Sequence, residues 1–107
     1  MEEVVRKVFD IKGIVQGVGF RPSVYRLAHR LGLAGWVENQ SGRVRLSLEG
    51  SEAQLNDFLA QLPSHLPSQS RIEQMTLVDM DQLNDEEHLR NFRIRESSAQ
   101  GRPSPSF

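Results

Sequence analysis

The sequence predicts an α+β fold, a ferredoxin-like α/β sandwich of order β-α-β-β-α-β, in which one antiparallel four-stranded sheet carries two helices on one face. Three observations predict it. Two segments with apolar residues at helical spacing lie among segments that alternate with period two. A short turn joins the two middle strands into a hairpin. A chain of 107 residues is long enough for a single two-layer core and too short for a second domain.

Residues 4–12 are rich in Val, Phe and Ile, and an extended backbone puts Val5, Phe9 and Ile11 on one face, which predicts a first strand ended by Gly13. After a glycine-rich loop, Pro22 suits the first helical position, where its missing N–H has no intrahelical partner to lose. Val24, Leu27, Ala28 and Leu31 then form an apolar stripe, and Gly32 is the expected left-handed cap. Residues 35–39 read as a short strand. Val44, Leu46 and Leu48 alternate with Arg45 and Ser47 in a half-buried partner strand, and Gln40-Ser41-Gly42 turns between the two. Ser51 with Gln54 is a capping box opening a second helix, whose stripe of Leu55, Phe58, Leu59 and Leu62 is stopped by Pro63. Residues 63–70 are a loop by composition, 71–80 a fourth strand and 84–89 a polar, acidic loop. Phe92 and Ile94 alternate with Arg93 and Arg95 in a short final strand. The folded domain is expected over 1–97, with a disordered tail or linker over 98–107, where Gly, Pro and Ser leave nothing to bury.

A net charge of −1 gives no whole-molecule pull toward nucleic acid or an anionic membrane. The charge is uneven: six cations against three acids leave the first 35 residues at +3, and the rest of the chain at −4. The cationic end is the end with the glycine loop. With no cysteine, disulfides and thiolate metal sites are excluded, and His29, His65 and His88 are too scattered to read as a ligand set, so neither metal nor cofactor is expected. No apolar run has the length of a membrane span, and charged residues follow Met1, so the expected location is cytoplasmic.

The chemistry concentrates in Gly13-Ile14-Val15-Gln16-Gly17-Val18-Gly19-Phe20-Arg21-Pro22. Glycines let the main chain curl until successive N–H groups point at one spot, and such a concavity at a helix N-terminus binds anions. Arg21 sits where the helix dipole disfavours a cation, which a bound anion would offset, and its planar fork suits phosphate oxygens. A plain strand-to-helix connection with a solvated arginine is the alternative. A Walker A loop fails, because Gly19-Phe20-Arg21 stands where Gly-Lys-Ser/Thr is needed. A dinucleotide fingerprint fails as well: Gly17-x-Gly19 and Glu38 match, but Pro22 replaces the third glycine and the next strand turns back in a hairpin.

Asn39 is the second candidate. By itself it reads as an ordinary turn residue before Gln40-Ser41-Gly42. In the expected sheet, the first strand pairs with the third, so the end of the second strand approaches the loop after the first and brings a neutral amide near the cradle. Tyr25 and Trp36 read as partial core, His29 as a solvated helix residue, and Asp79, Asp81, Asp85, Glu86 and Glu87 as a solvated loop without metal-ligand spacing.

The motif Gly13-x-Val15-Gln16-Gly17-Val18-x-Phe20-Arg21, followed by Gly35-Trp36-Val37-x-Asn39 and Gly42-x-Val44, strongly resembles the acylphosphatase family over residues 4 to 96. Pro22 after Arg21 resembles the subgroup found at the N-terminus of HypF-type carbamoyltransferases of nickel–iron hydrogenase maturation. The resemblance implies a phosphate-binding loop of Val15, Gln16, Gly17, Val18, Gly19, Phe20 and Arg21. In it the amides of Gln16 to Phe20 cradle the phosphate, Arg21 clamps it and Asn39 positions the attacking water. Arg21 and Asn39 are then the catalytic side chains. It further implies an acyl phosphate substrate, carbamoyl phosphate first, and the remaining domains of a larger chain as partners. Two residues separate Asn39 from Gly42 where stand-alone members typically have three, and the chain continues past the final strand where they typically end. A stand-alone acylphosphatase and a non-catalytic phosphate-binding or interaction module are the alternative functions. An RNA-recognition domain has the same element order but needs aromatics on its sheet face, and the third strand offers only Val44, Leu46 and Leu48, so no nucleic-acid or membrane partner is expected.

Overall fold

The computed structural model describes residues 3–84 and 88–95. Among these, the elements run β1 (Val4–Ile14), α1 (Phe20–Arg30), β2 (Ala34–Gln40), β3 (Arg43–Gly50), α2 (Glu52–His65), β4 (Arg71–Leu83) and β5 (Phe92–Arg95). The order of the predicted segments is therefore as expected, and the sheet is larger. It has five strands in the order β4-β1-β3-β2-β5, and it is mixed: β5 runs parallel to β2, with Gly35 opposite Phe92 and Glu38 opposite Arg95. The expected four-stranded antiparallel sheet is corrected on both counts. The chain leaves β4 at one edge and re-enters at the other, where the unpaired flank of β2 accepts a short parallel strand. Buried Glu49 anchors that crossing by accepting hydrogen bonds from the Leu89 amide at 2.7 Å and from His88 Nδ1 at 3.0 Å.

Both helices pack on one face, over a core that takes Val5, Phe9 and Ile11 from β1, Val37 from β2, and Val44, Leu46 and Leu48 from β3. The helices supply Val24, Leu27 and Ala28, and Leu55, Phe58 and Leu62. Full burial of each larger side chain stabilises the fold by roughly 1.5–3 kcal/mol. The stripe of α1 packs as expected, and its end is a Schellman motif: Gly32 has φ +75°, its amide donates to His29 O, and the Leu33 amide donates to Ala28 O. The Ser51–Gln54 capping box is present in both directions. In the hairpin, Ser41 and Gly42 both have positive φ, 47° and 83°, as a two-residue turn between twisted strands requires.

Four boundaries move. The first strand continues through Gly13 to Ile14, because Gly13 lies at an irregularity in the β1–β4 ladder and the backbones approach closely there. A Cβ built on Gly13 would stand 2.0 Å from the carbonyl oxygen of Arg71, so glycine permits the approach and does not end the strand. Helix α1 begins at Phe20, which makes Pro22 its third residue; the first turn tolerates it equally, since that N–H is unpaired in any helix. Pro63 does not stop α2, which runs on to His65, with the Gln61 carbonyl taken by Ser64 Oγ at 2.9 Å and meeting His65 Nδ1 at 3.0 Å. Asp79 and Asp81 belong to β4 and not to a loop, and Asp81 pairs with Arg6 across the ladder. Asp85, Glu86, Glu87 and the expected tail lie outside the described residues.

The face away from the helices is not simply wet. Ser47 is fully buried and Glu49 2% exposed, so β3 is closed on both sides where half-burial was expected. The half-buried Trp36 shares that face, with the Arg95 guanidinium 4.3 Å above its ring and Arg95 Nε 3.2 Å from Glu38 Oε1. Tyr25 is more exposed than expected of a core residue, stacking on His29 and tilting against Phe92.

Candidate active site

The loop from Val15 to Gly19 is fastened at its ends and open at its centre. Val15 and Phe20 are 2% and 1% exposed, anchored in the core, whereas Gln16, Gly17 and Gly19 face solvent and Val18 is half-buried. Gly17 and Gly19 have φ of +72° and +83° with a residue of ordinary hand between them, an alternation that turns successive N–H groups to one side. Gly19 is also the N-cap of α1, so the curl opens directly onto the helix start, and the first turn holds Arg21 and no acid. A curl of main chain, a helix start and a first turn carrying Arg21 without an acid thus adjoin one another, an arrangement suited to an anion.

Two contacts brace this loop, and neither was legible in the sequence. Gln16 Nε2 donates to the carbonyl oxygen of Arg43 at 3.2 Å, tying the loop to the first residue of β3. Arg21 Nη1 donates to the carbonyl oxygen of Arg95 at 3.4 Å. This is a long hydrogen bond from one of five donors, so it tethers the side chain without committing it. Both acceptors are main-chain carbonyls on distant strands, for which side-chain patterning carries no signal.

Asn39 comes to the same end of the sheet. It pairs with Val44, which pairs with Ile11, so it stands two strand spacings, about 10 Å, from the strand that feeds the loop. It shares a strand face with buried Val37 and Gly35, the face toward the helices. Its Oδ1 is buried and has no hydrogen-bond partner among the described residues. A buried amide oxygen left unpaired costs about 1–3 kcal/mol, and a water in hydrogen-bonding reach would repay that. Neighbouring Glu38 and Gln40 point to the opposite face and bond each other. Thus Val15 to Arg21 form one continuous cradle, with Asn39 on its β3 side.

On the open face near the cradle, Asp10 receives Arg43 Nη1 at 2.6 Å and Arg45 Nε at 3.2 Å. Burial pushes its carboxyl up, but the hydrogen bonds and charges of the two arginines outweigh that and hold it below its ordinary value. The pairs lock the β1–β3 register on which the position of Asn39 depends. Among the described residues no cluster of three or more His, Asp or Glu has metal-binding geometry, and no helix is long and apolar enough to cross a membrane.

Comparison with known proteins bears on the family and the fold. The acylphosphatase family model matches residues 7–94. The chain is 45% identical over 71 residues to carbamoyltransferase HypF2 of Cupriavidus necator, a match covering 66% of this chain and 9% of that protein. It is 45% identical over 70 residues to an acylphosphatase of Burkholderia lata, covering 64% of this chain and 70% of that one. A crystal structure of full-length HypF superposes with a TM-score of 0.75 at 29% identity, covering 92% of this chain and 13% of HypF. The chain thus spans about a tenth of the HypF proteins it matches. An acylphosphatase match over nearly the whole described fold, with relatives among both stand-alone enzymes and HypF, means that the chain belongs to the acylphosphatase family and is a hydrolase domain of that type.

Proposed function

We propose that this domain cleaves the carboxyl–phosphate bond of acyl phosphates, carbamoyl phosphate among them, as one part of a carbamoyl-transferring protein. The observation that carries the reading is the cradle itself: two left-handed glycines leading into the start of α1, with Arg21 in a first turn that lacks any acid. A relative, HypF, has been crystallised in a phosphate- and nucleotide-bound form.

In this reading the amides of Gln16 to Phe20 and the fork of Arg21 hold the phosphoryl oxygens, and Asn39 holds the water through its unpaired Oδ1. The mixed anhydride is already activated, so positioning and charge stabilisation supply the rate. A strong protein base is unnecessary, because the phosphoryl oxygens themselves accept the proton the water loses. Carbamoyl phosphate, with the smallest polar acyl group, fits a domain whose relatives include carbamoyltransferases.

The test compares phosphate release from carbamoyl phosphate by the parent, Arg21→Ala and Asn39→Ala, with phosphate binding followed by NMR. Loss of the charge-assisted fork in Arg21→Ala is expected to weaken phosphate binding by roughly 10²-fold and to abolish turnover. Asn39→Ala is expected to keep phosphate affinity and lose roughly 10²–10³ in kcat. Phosphate binding without hydrolysis of any acyl phosphate by the parent would instead make the domain a binding module.

A further inference from the structure

The geometry points to the side chain of Gln16 as a positioning residue for the hydrolysis: its hydrogen bond to the β2–β3 hairpin fixes how far the phosphate loop stands from Asn39. This assignment rests on the hydrolase reading above and deepens it, since that reading uses Gln16 through its main-chain amide alone.

Main-chain pairing does not by itself set this distance. The β1–β3 ladder stops at the rung that puts Ile11 opposite Val44, and Asn39 faces Val44 from the other side of β3. Beyond that rung β1 runs on to Ile14 against β4, with an irregularity between Lys12 and Gly13. The chain therefore enters the loop on the β4 flank, while Asn39 lies on the β2 flank. Val15 and Phe20 anchor the ends of the loop in the core, but Gln16, Gly17 and Gly19 between them face solvent. Packing thus leaves the central amides without a fixed reference to the hairpin.

The Gln16 side chain spans this gap. Its Nε2 donates to the Arg43 carbonyl at 3.2 Å, and Arg43 lies one position from the Val44 rung that carries Asn39. Arg43 is also a held residue: its Nη1 donates to Asp10 Oδ2 at 2.6 Å. The loop thus grips Arg43 by its main chain and β1 grips it by its side chain. Asn39 Oδ1 has no partner among the described residues, so no hydrogen bond of that oxygen fixes its direction, and the main chain beneath it decides where it stands. An amide suits the task. It donates to a carbonyl without bringing charge to the edge of an anion site, whereas a glutamate has no donor at neutral pH and a lysine would compete for the anion.

The test measures kcat and KM for carbamoyl phosphate, and affinity for inorganic phosphate, on the whole chain. The proteins compared are the parent, Gln16→Met, Gln16→Asn, Asn39→Ala and the double variant of Asn39→Ala with Gln16→Met. Methionine keeps the length and loses the donor; asparagine keeps the donor and is one methylene short. A displacement of about 1 Å costs up to about 10²-fold in rate, and a loosened loop less, so each Gln16 variant is expected to lower kcat about tenfold. KM and phosphate affinity are expected to stay within about twofold of the parent. In the Asn39→Ala background, Gln16→Met is expected to lower kcat no further, because the separation it sets has lost its use. A merely structural brace would weaken phosphate binding and lower kcat by the same factor in both backgrounds. That result, or parent-like kcat in either Gln16 variant, would overturn the positioning role and leave the hydrolase reading standing. A parent that releases no phosphate from carbamoyl phosphate would overturn the hydrolase reading, and the positioning role with it.

Discussion

Asp10 illustrates how a single side chain can support a site it never touches. Its carboxylate bridges Arg43 and Arg45 across the β1–β3 ladder, and those pairings place Asn39 at the level of the cradle. Because its folded-state value lies below the ordinary 3.8, its contribution is fully present above that value and is lost as pH falls through it. Asp10→Asn is therefore expected to cost up to about 1 kcal/mol at neutral pH, a modest figure because both arginines are partly exposed and solvent screens them. The gap between parent and variant in urea unfolding should stay level from pH 7 to 5 and close below about pH 4. A gap unchanged at low pH would mean that charge is not the cause. At this scale the sequence singles out Arg21, because a cation at a helix start needs explaining, and Asn39, because its spacing matches a second motif; the roles proposed for them are tested by the two variants above. The side-chain role of Gln16 and the carbonyl contact of Arg95 were not legible, since a bond to a distant main-chain oxygen leaves no mark on residue type.

Among the elements, the capping box that opens α2 does more than its motif announces. Gln54 accepts from the Ser51 amide at 2.9 Å and also donates through Nε2 to the Leu31 carbonyl at 3.1 Å, where α1 ends. One side chain therefore closes the start of one helix and the end of the other. Ser51→Ala is expected to cost about 1 kcal/mol, the usual value of a lost N-cap. Gln54→Ala should cost more, and Gln54→Glu should keep the box while losing the donor to Leu31. Thermal unfolding should rank them so, with each 1 kcal/mol lowering Tm by about 4–8 °C in a domain of this size. Equal loss in Gln54→Ala and Ser51→Ala would show that the bridge to α1 contributes nothing. Strongly periodic elements were readable because their apolar stripes are local. The reach of β1 past Gly13 and the parallel docking of β5 were not, because each depends on a partner far along the chain: Arg71 for Gly13, and Gly35 for Phe92.

The whole molecule seats both anchors of the loop, Val15 and Phe20, in one core, so the phosphate site proposed above exists only in the folded state. Saturating phosphate should therefore raise global stability by about 2.7 kcal/mol at 100 times its Kd, read as an upward shift in Tm. Arg21→Ala should erase that shift while its unliganded Tm changes little, since the guanidinium is tethered by one long hydrogen bond. An equal shift in both proteins would place the anion elsewhere. The placement of Asn39 at the end of the sheet where β1 feeds the loop was legible from element order, because pairing of the first and third strands holds whether the sheet has four strands or five. What lay beyond reach was the other flank, where the lead-in to β4 stands against Gly19.

Trp36 is the chain's one tryptophan, and it lies outside the core, capped by Arg95 at the junction of β2 and β5. The carbonyl of that same Arg95 receives Arg21. Trp36 and Arg21 thus share one neighbour, so under the proposed function a ligand that draws Arg21 from the strand is expected to change the indole emission, a change Arg21→Ala should abolish.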